Sequence, residues 1–221
     1  YGGLEPFQNA VAGTGKFTDD CFIKAGEKIQ EWVNNGYFPD GVNSLSEDDG
    51  QAKQLMYQET AGMLLSGSWY TGTFQTDSEE FYQKIGWFPF PAIDDSDADP
   101  TIQIGTVGDQ FISFNCTGDK LAAAVEFASY LSSDETIDQM VNSGLIPPIK
   151  GIEEKITDPL SQQIIEAANN AGAVQLWYDQ YLNPTVANAH LDGNQEVFGL
   201  TMTPADANKK MQEAMDEVLA E

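Results

Sequence analysis

Arginine is absent from this chain: all ten basic residues are lysines, set against 35 aspartates and glutamates, and the formal charge is −25. Arginine is the usual planar fork for carboxylates and phosphates, so its absence argues against a dedicated anionic ligand or phosphoryl chemistry. The same acidity repels nucleic-acid phosphates and anionic lipid headgroups, which excludes nucleic acid as a partner. A neutral, hydroxyl-rich or cationic ligand fits this balance.

Histidine occurs once, as His190, and cysteine twice, as Cys21 and Cys116. One histidine cannot build a histidine-rich metal centre. A nucleophilic triad would have to use His190, which has no partner motif around it, so it reads as a satisfied surface or loop residue. The cysteines form neither a CxxC motif nor a disulfide framework, and read as small buried hydrophobes. No metal, cofactor or catalytic group is expected. No run approaches the ~18 apolar residues of a membrane-spanning helix. The chain begins at Tyr1-Gly2-Gly3, without an initiator methionine or an apolar leader, and reads as a processed or excised piece whose targeting segment lies upstream.

What is present is enough apolar material for a core: 41% of 221 residues, sufficient for one large domain or two small lobes. The stretch Gly62 to Phe74 (GMLLSGSWYTGTF) organises the rest. Met63, Leu64 and Leu65 read as a buried strand, 62 to 66, that ends in the small-residue turn Ser66-Gly67-Ser68 and presents Trp69. A rigid base with an open indole face is a way to build a binding surface, and core packing is the competing role.

Residues 1 to 17 read as loop. Gly13-Thr14-Gly15-Lys16 is not a phosphate loop, because Ala10 and Phe17 stand where glycine and Ser/Thr are needed. A helix follows from Thr18, capped by Thr18 or Asp19, with Phe22, Ala25, Ile29, Trp32 and Val33 facing the core. The next helix is predicted over roughly 47 to 59, opened by Ser46 and Asp49. Two prolines among the aromatics of Gly86-Trp87-Phe88-Pro89-Phe90-Pro91 make that segment extended. Asp94 to Asp99 alternates carboxylates as calcium loops do, but Pro100 and Thr106 occupy the positions of the required glycine and glutamate, which leaves a solvated acidic turn. A strand is predicted over 111 to 114. Helices follow over 119–131, 133–142, 159–171 and 173–182, with a short one near 194 to 199. The last starts at Thr203-Pro204 and turns Ala207, Met211, Met215 and Val218 to one side. Few strands among many helices predict a helix-rich α/β fold.

The order of these motifs resembles that of extracellular solute-binding proteins of ABC sugar importers, the maltodextrin-binding-like family. Met56-Tyr57-Gln58, Ala61, Met63 and Gly67-Ser68-Trp69 resemble its F-x-x-G-K-A-A-M-x-x-x-G-S-W signature, with Glu59 and Gly62 departing from it. Gly86 to Pro91 resembles its G-x-x-P-x-P strand, Gly105 to Phe114 its glycine loop and strand, Ala122 to Leu131 its E-A-A-x-E-F-x-x-Y-L helix, and Gly144 to Pro147 its G-x-x-P. Trp177-Tyr178-Asp179 and the Thr203-Pro204 helix resemble its C-terminal pair.

The resemblance implies a periplasmic-binding-protein type II-like fold, with 1–221 forming mainly the C-terminal lobe of a two-lobed protein. About 105 to 145 resembles a segment that crosses to the other lobe, most of which is missing. It implies a non-catalytic carbohydrate (oligosaccharide) binder whose two lobes close on the sugar, partnered by ABC-transporter permease subunits. Such a protein is extracellular or periplasmic, anchored as a lipoprotein through an N-terminal segment not present in this chain. Carried over, the stacking aromatics are Trp69 and Trp177, and Asp109 beside Gly108, with Asp179, bonds sugar hydroxyls. Asp179 reads equally as a helix-surface carboxylate or a cap. A glycoside hydrolase fragment is the rival reading, although no facing carboxylate pair is marked; a non-catalytic surface interaction module is the third.

Overall fold

A computed structural model describes residues 1–105 and 114–220. In chain order the helices are α1 (Leu4–Val11), α2 (Asp20–Asn34), α3 (Gln51–Tyr57), α4 (Trp69–Asp77) and α5 (Glu79–Tyr82). Strand β1 (Gln103–Ile104) precedes α6 (Asp119–Leu131), α7 (Asp134–Asn142) and α8 (Pro159–Asn169). Strand β2 (Val174–Gln175) then leads to α9 (Tyr178–Tyr181), α10 (Pro184–Phe198) and α11 (Pro204–Leu219). β1 and β2 pair as a two-stranded sheet. The chain divides into two compact units. The first comprises Tyr1–Leu64, Phe90–Ile104 and Gln175–Glu221; the second comprises Leu65–Pro89 and Gly105–Val174.

The first unit is built on α2, α10 and α11. Thr203 caps α11 by accepting the Asp206 amide, Pro204 takes the first turn, and Ala207, Met211 and Met215 are buried, as their spacing predicts. Met211 and Met215 join Phe7, Ala10, Phe17, Leu182, Val186 and Ala187 in one core. Small residues let the helices approach: a Cβ on Gly26 of α2 would lie 2.6 Å from Pro204 Cβ, and one on Gly193 of α10 would lie 3.3 Å from Ala207 Cβ. The Phe17 amide, deep in this core, donates to Gln212 Oε1 at 2.6 Å. The expected loop over residues 1 to 17 is therefore corrected: α1 forms because Phe7 and Ala10 fall on one helical face and bury it against α11 and α10. Trp32, expected in the core, is half-buried and stands 6.2 Å from the Phe90 ring.

The second unit holds α4 to α8, with a core of Ile137, Ile152, Ile156 and Ile165. Ser133 caps α7 and Asp158 caps α8, each side chain accepting an amide of the first turn. Asp158 also accepts the hydroxyl proton of the buried Tyr82, which ties α5 to the start of α8. Burial alone would raise the Asp158 carboxyl, but the bonds from Tyr82 and Ser161 outweigh it and hold the group below the usual carboxylate range.

The helices predicted over 119–131, 133–142 and 159–171 appear as α6, α7 and α8. The predicted strand 62–66 is not one: Met63 and Leu65 are 74% and 80% exposed, and the run is irregular, with a bend at Gly62 and no ladder. No described strand lies beside it, and a strand without a partner leaves its backbone groups unpaired. The helix predicted over 173–182 is instead β2 followed by the short α9, because Val174–Gln175 pairs with β1. The short helix near 194–199 is the end of the much longer α10, which Asn183 caps by accepting the Thr185 amide. Asp94 to Pro100 is turn and bend, as expected. Of the predicted strand 111–114, residues 111–113 lie outside the described residues, and Phe114 belongs to no strand.

Candidate functional site

Trp69 is the first residue of α4, not the tip of a turn after a strand. The Tyr70 and Thr71 amides donate to the Gly67 and Ser68 carbonyls and wind the turn into the helix. Tyr70, Thr71, Gly72 and Phe74 are buried, and Tyr70 and Phe74 meet at 4.9 Å, while Trp69 keeps 45% of its surface exposed. The helix is thus held by its buried face and presents an indole at its first residue. A large aromatic on an immobilised element supplies contact area at little entropic cost.

Trp177 and Asp179 lie together in the first unit, on either side of Tyr178. Trp177 is the N-cap of α9 and accepts the Gln180 and Tyr181 amides through its carbonyl; its ring is half-buried. Asp179 is exposed in the first turn, where the helix N-terminus favours a carboxylate, and is not the cap. Tyr178 anchors the segment. Its ring stacks on Phe7 at 4.3 Å with 17° between planes, and its hydroxyl is pushed up to about 12, chiefly by burial.

Beneath Tyr178 lies His190, 5.0 Å ring to ring, with its Nε2 3.1 Å from the Asn194 amide nitrogen. This corrects the surface or loop reading of His190: it is a half-buried residue of α10 facing α9. Burial pushes its pKa down, against the opposing charge of Asp179. A groove of about 230 Å³ reaches it, lined by Phe22, Gly26, Tyr178, Asn194 and Asn208 among others. Tyr178, the support of this candidate segment, was not singled out from the sequence. The signal was its place between two candidate contacts in a run of aromatics, Trp177-Tyr178-Asp179-Gln180-Tyr181, where one ring must point inward to hold the others.

Gly108 and Asp109 lie outside the described residues, and Trp69 belongs to the second unit. Cys21 and Cys116 are half-buried and unpaired, not fully buried as their small size suggested. No group of three or more His, Cys, Asp or Glu side chains suited to a metal ion occurs among the described residues, and no described helix is long and apolar enough to cross a membrane.

Comparison with solved structures gives the fold. One, from work on xylan utilization by the thermophilic bacterium Caldanaerobius polysaccharolyticus, is 29% identical with a TM-score of 0.82, covering 96% of this chain and 54% of that one. A second, a chitin oligosaccharide binding protein, is 24% identical with a TM-score of 0.80, covering 98% of this chain and 54% of that one. The chain therefore spans about half the length of the solved structures it matches. No curated protein matches it. The fold is the helix-rich α/β, periplasmic-binding-protein type II-like fold of these proteins. The profile of bacterial extracellular solute-binding proteins matches residues 2–137, more than half of the chain, and the chain belongs to that family.

Proposed function

We propose that this chain is the C-terminal portion of a carbohydrate-binding protein that captures an oligosaccharide for an ABC importer. The observation that carries the reading is the likeness over 96% of the chain to a structure from work on xylan utilization. The chemistry agrees with it. A pyranose presents apolar C–H faces and a rim of hydroxyls, so its site pairs flat aromatics with planar acceptors. Trp69 and Trp177 are the stacking groups, and Asp109, Gly108 and Asp179 bond hydroxyls. Each buried, charge-assisted hydrogen bond contributes roughly 1.5 to 3 kcal/mol.

Capture requires no chemical step. Two lobes of the full-length protein close on the sugar, with 105–145 crossing into the lobe that the rest of the protein completes, and the closed form docks on the permease. The protein acts outside the cytoplasmic membrane, tethered through a lipidated N-terminal segment. Calorimetric titration of the full-length protein with xylo-oligosaccharides and chito-oligosaccharides tests this reading. Saturable heat, with no reducing ends released on prolonged incubation, is the expected result. Released reducing ends would favour a hydrolase, and no heat with any sugar would favour an interaction module.

A further inference from the structure

The start of α4 carries no side-chain cap: Ser68 stands at the N-cap position without a side-chain bond to the helix amides. The end of α7 holds this turn instead. A Cβ on Gly72 would fall 2.1 Å from the Ser143 carbonyl oxygen, and one on Gly144 would fall 2.3 Å from Gly72 Cα. Gly144 also has φ +73, the left-handed conformation that stops α7. The two segments are therefore in backbone contact, which glycine alone permits on both sides. The Thr71 hydroxyl bridges the same crossing, 2.8 Å from the Ser68 carbonyl oxygen and 3.0 Å from that of Gly144. It offers one proton to two acceptors that lie on different segments.

The indole itself rests on a third glycine. A Cβ on Gly67 would lie 2.0 Å from Trp69 Cζ3, 2.3 Å from Cη2 and 2.5 Å from Cε3. The benzo edge of the ring occupies the space that any side chain at 67 would take. All of these residues belong to the second unit.

We propose that Gly67, Thr71, Gly72 and Gly144 are positioning residues for Trp69: the glycine crossing and the Thr71 hydroxyl fix the base of α4, and Gly67 sets the rotamer of the ring. The indole is then a preset platform for a flat sugar face, with little side-chain freedom left to lose on binding. This rests on the reading of Trp69 as a ligand contact. The clamp joins residues 72 positions apart in the chain, and the Gly67 backbone lies against the benzo edge of the ring.

The test uses the full-length protein labelled with 7-fluorotryptophan, whose fluorine sits on Cζ2, off the Gly67 contact. The ¹⁹F resonance lost in Trp69→Phe is that of Trp69. In Gly67→Ala this resonance is expected to shift by more than its linewidth without sugar. Affinity for xylohexaose is expected to fall about tenfold, and the substitution should cost nothing further in a Trp69→Ala background. Gly72→Ala drives a Cβ into a backbone carbonyl and endangers the fold itself, so Thr71→Val serves as the second variant. It should broaden the Trp69 resonance, and Thr71→Ser should restore it. An unchanged Trp69 resonance in both Gly67→Ala and Thr71→Val overturns the positioning role whatever the sugar result. A displaced resonance supports that role even if Trp69→Ala binds xylohexaose like wild type, an outcome that would overturn only the ligand reading of Trp69.

Discussion

His190 shows what burial does to a single residue. It is the one histidine of the chain, enclosed by Tyr178 and Asn194, and desolvation holds its pKa below the ordinary value despite the attraction of Asp179. The unfolded chain takes up this proton near pH ~6.5, whereas the folded chain resists it. The contribution to stability is therefore complete above pH ~6.5 and is lost as the pH falls through the lower folded value. Urea midpoints at pH 7.5 and pH 5 should differ more for wild type than for His190→Gln, since the carboxylate titration common to both proteins cancels in the comparison. Equal differences would show that His190 carries no linked proton. Trp69, by contrast, sits where its sequence context suggested, exposed after a small-residue turn, although the element beneath it differs.

At the scale of elements, helix contacts in the first unit depend on missing side chains. Gly26→Ala in α2 should gain about 1 kcal/mol of helix propensity. It also places a methyl 2.6 Å from Pro204 Cβ, and overpacking of that kind costs about 1–3 kcal/mol. The second effect wins, so a net destabilisation is expected in urea unfolding; a gain in stability would show that α2 lifts from α11 at no cost. The elements legible in the sequence were those whose signals are local. α11 carries both a side-chain cap and an apolar stripe; α2 carries the stripe, although Asp19 at its N-cap makes no side-chain bond to the helix amides; and α6, α7 and α8 follow their apolar spacing, with Ser133 and Asp158 capping the last two. The failures all required a distant partner. β2 is two residues long and exists only because β1 lies beside it, and α1 is helical because Phe7 and Ala10 meet residues near 186 and 211. The apolar run 62–66 looks like a strand by composition, yet composition cannot supply a neighbour to pair with. The proposed contacts Trp69, Trp177 and Asp179 were named from motif order, whereas the Gly72–Gly144 crossing has no local mark.

At the scale of the molecule, a charge of −25 would dominate recognition of any charged ligand, and it leaves a neutral sugar unaffected. Affinity for a bound oligosaccharide should therefore change less than about twofold between 20 mM and 500 mM salt, since the long-range field that salt screens has no charge to act on. A steep salt dependence would indicate a charged ligand. The chain belongs to the bacterial extracellular solute-binding family, divides into two compact units and spans about half the length of the solved structures it matches. The most direct test of carbohydrate capture is a calorimetric titration of the full-length protein and its Trp69→Ala variant with xylohexaose. Saturable binding that weakens about tenfold in the variant, with its unfolding midpoint preserved, is the predicted result. Absence of binding to xylohexaose and to every other oligosaccharide, in a protein shown to be folded, would contradict it.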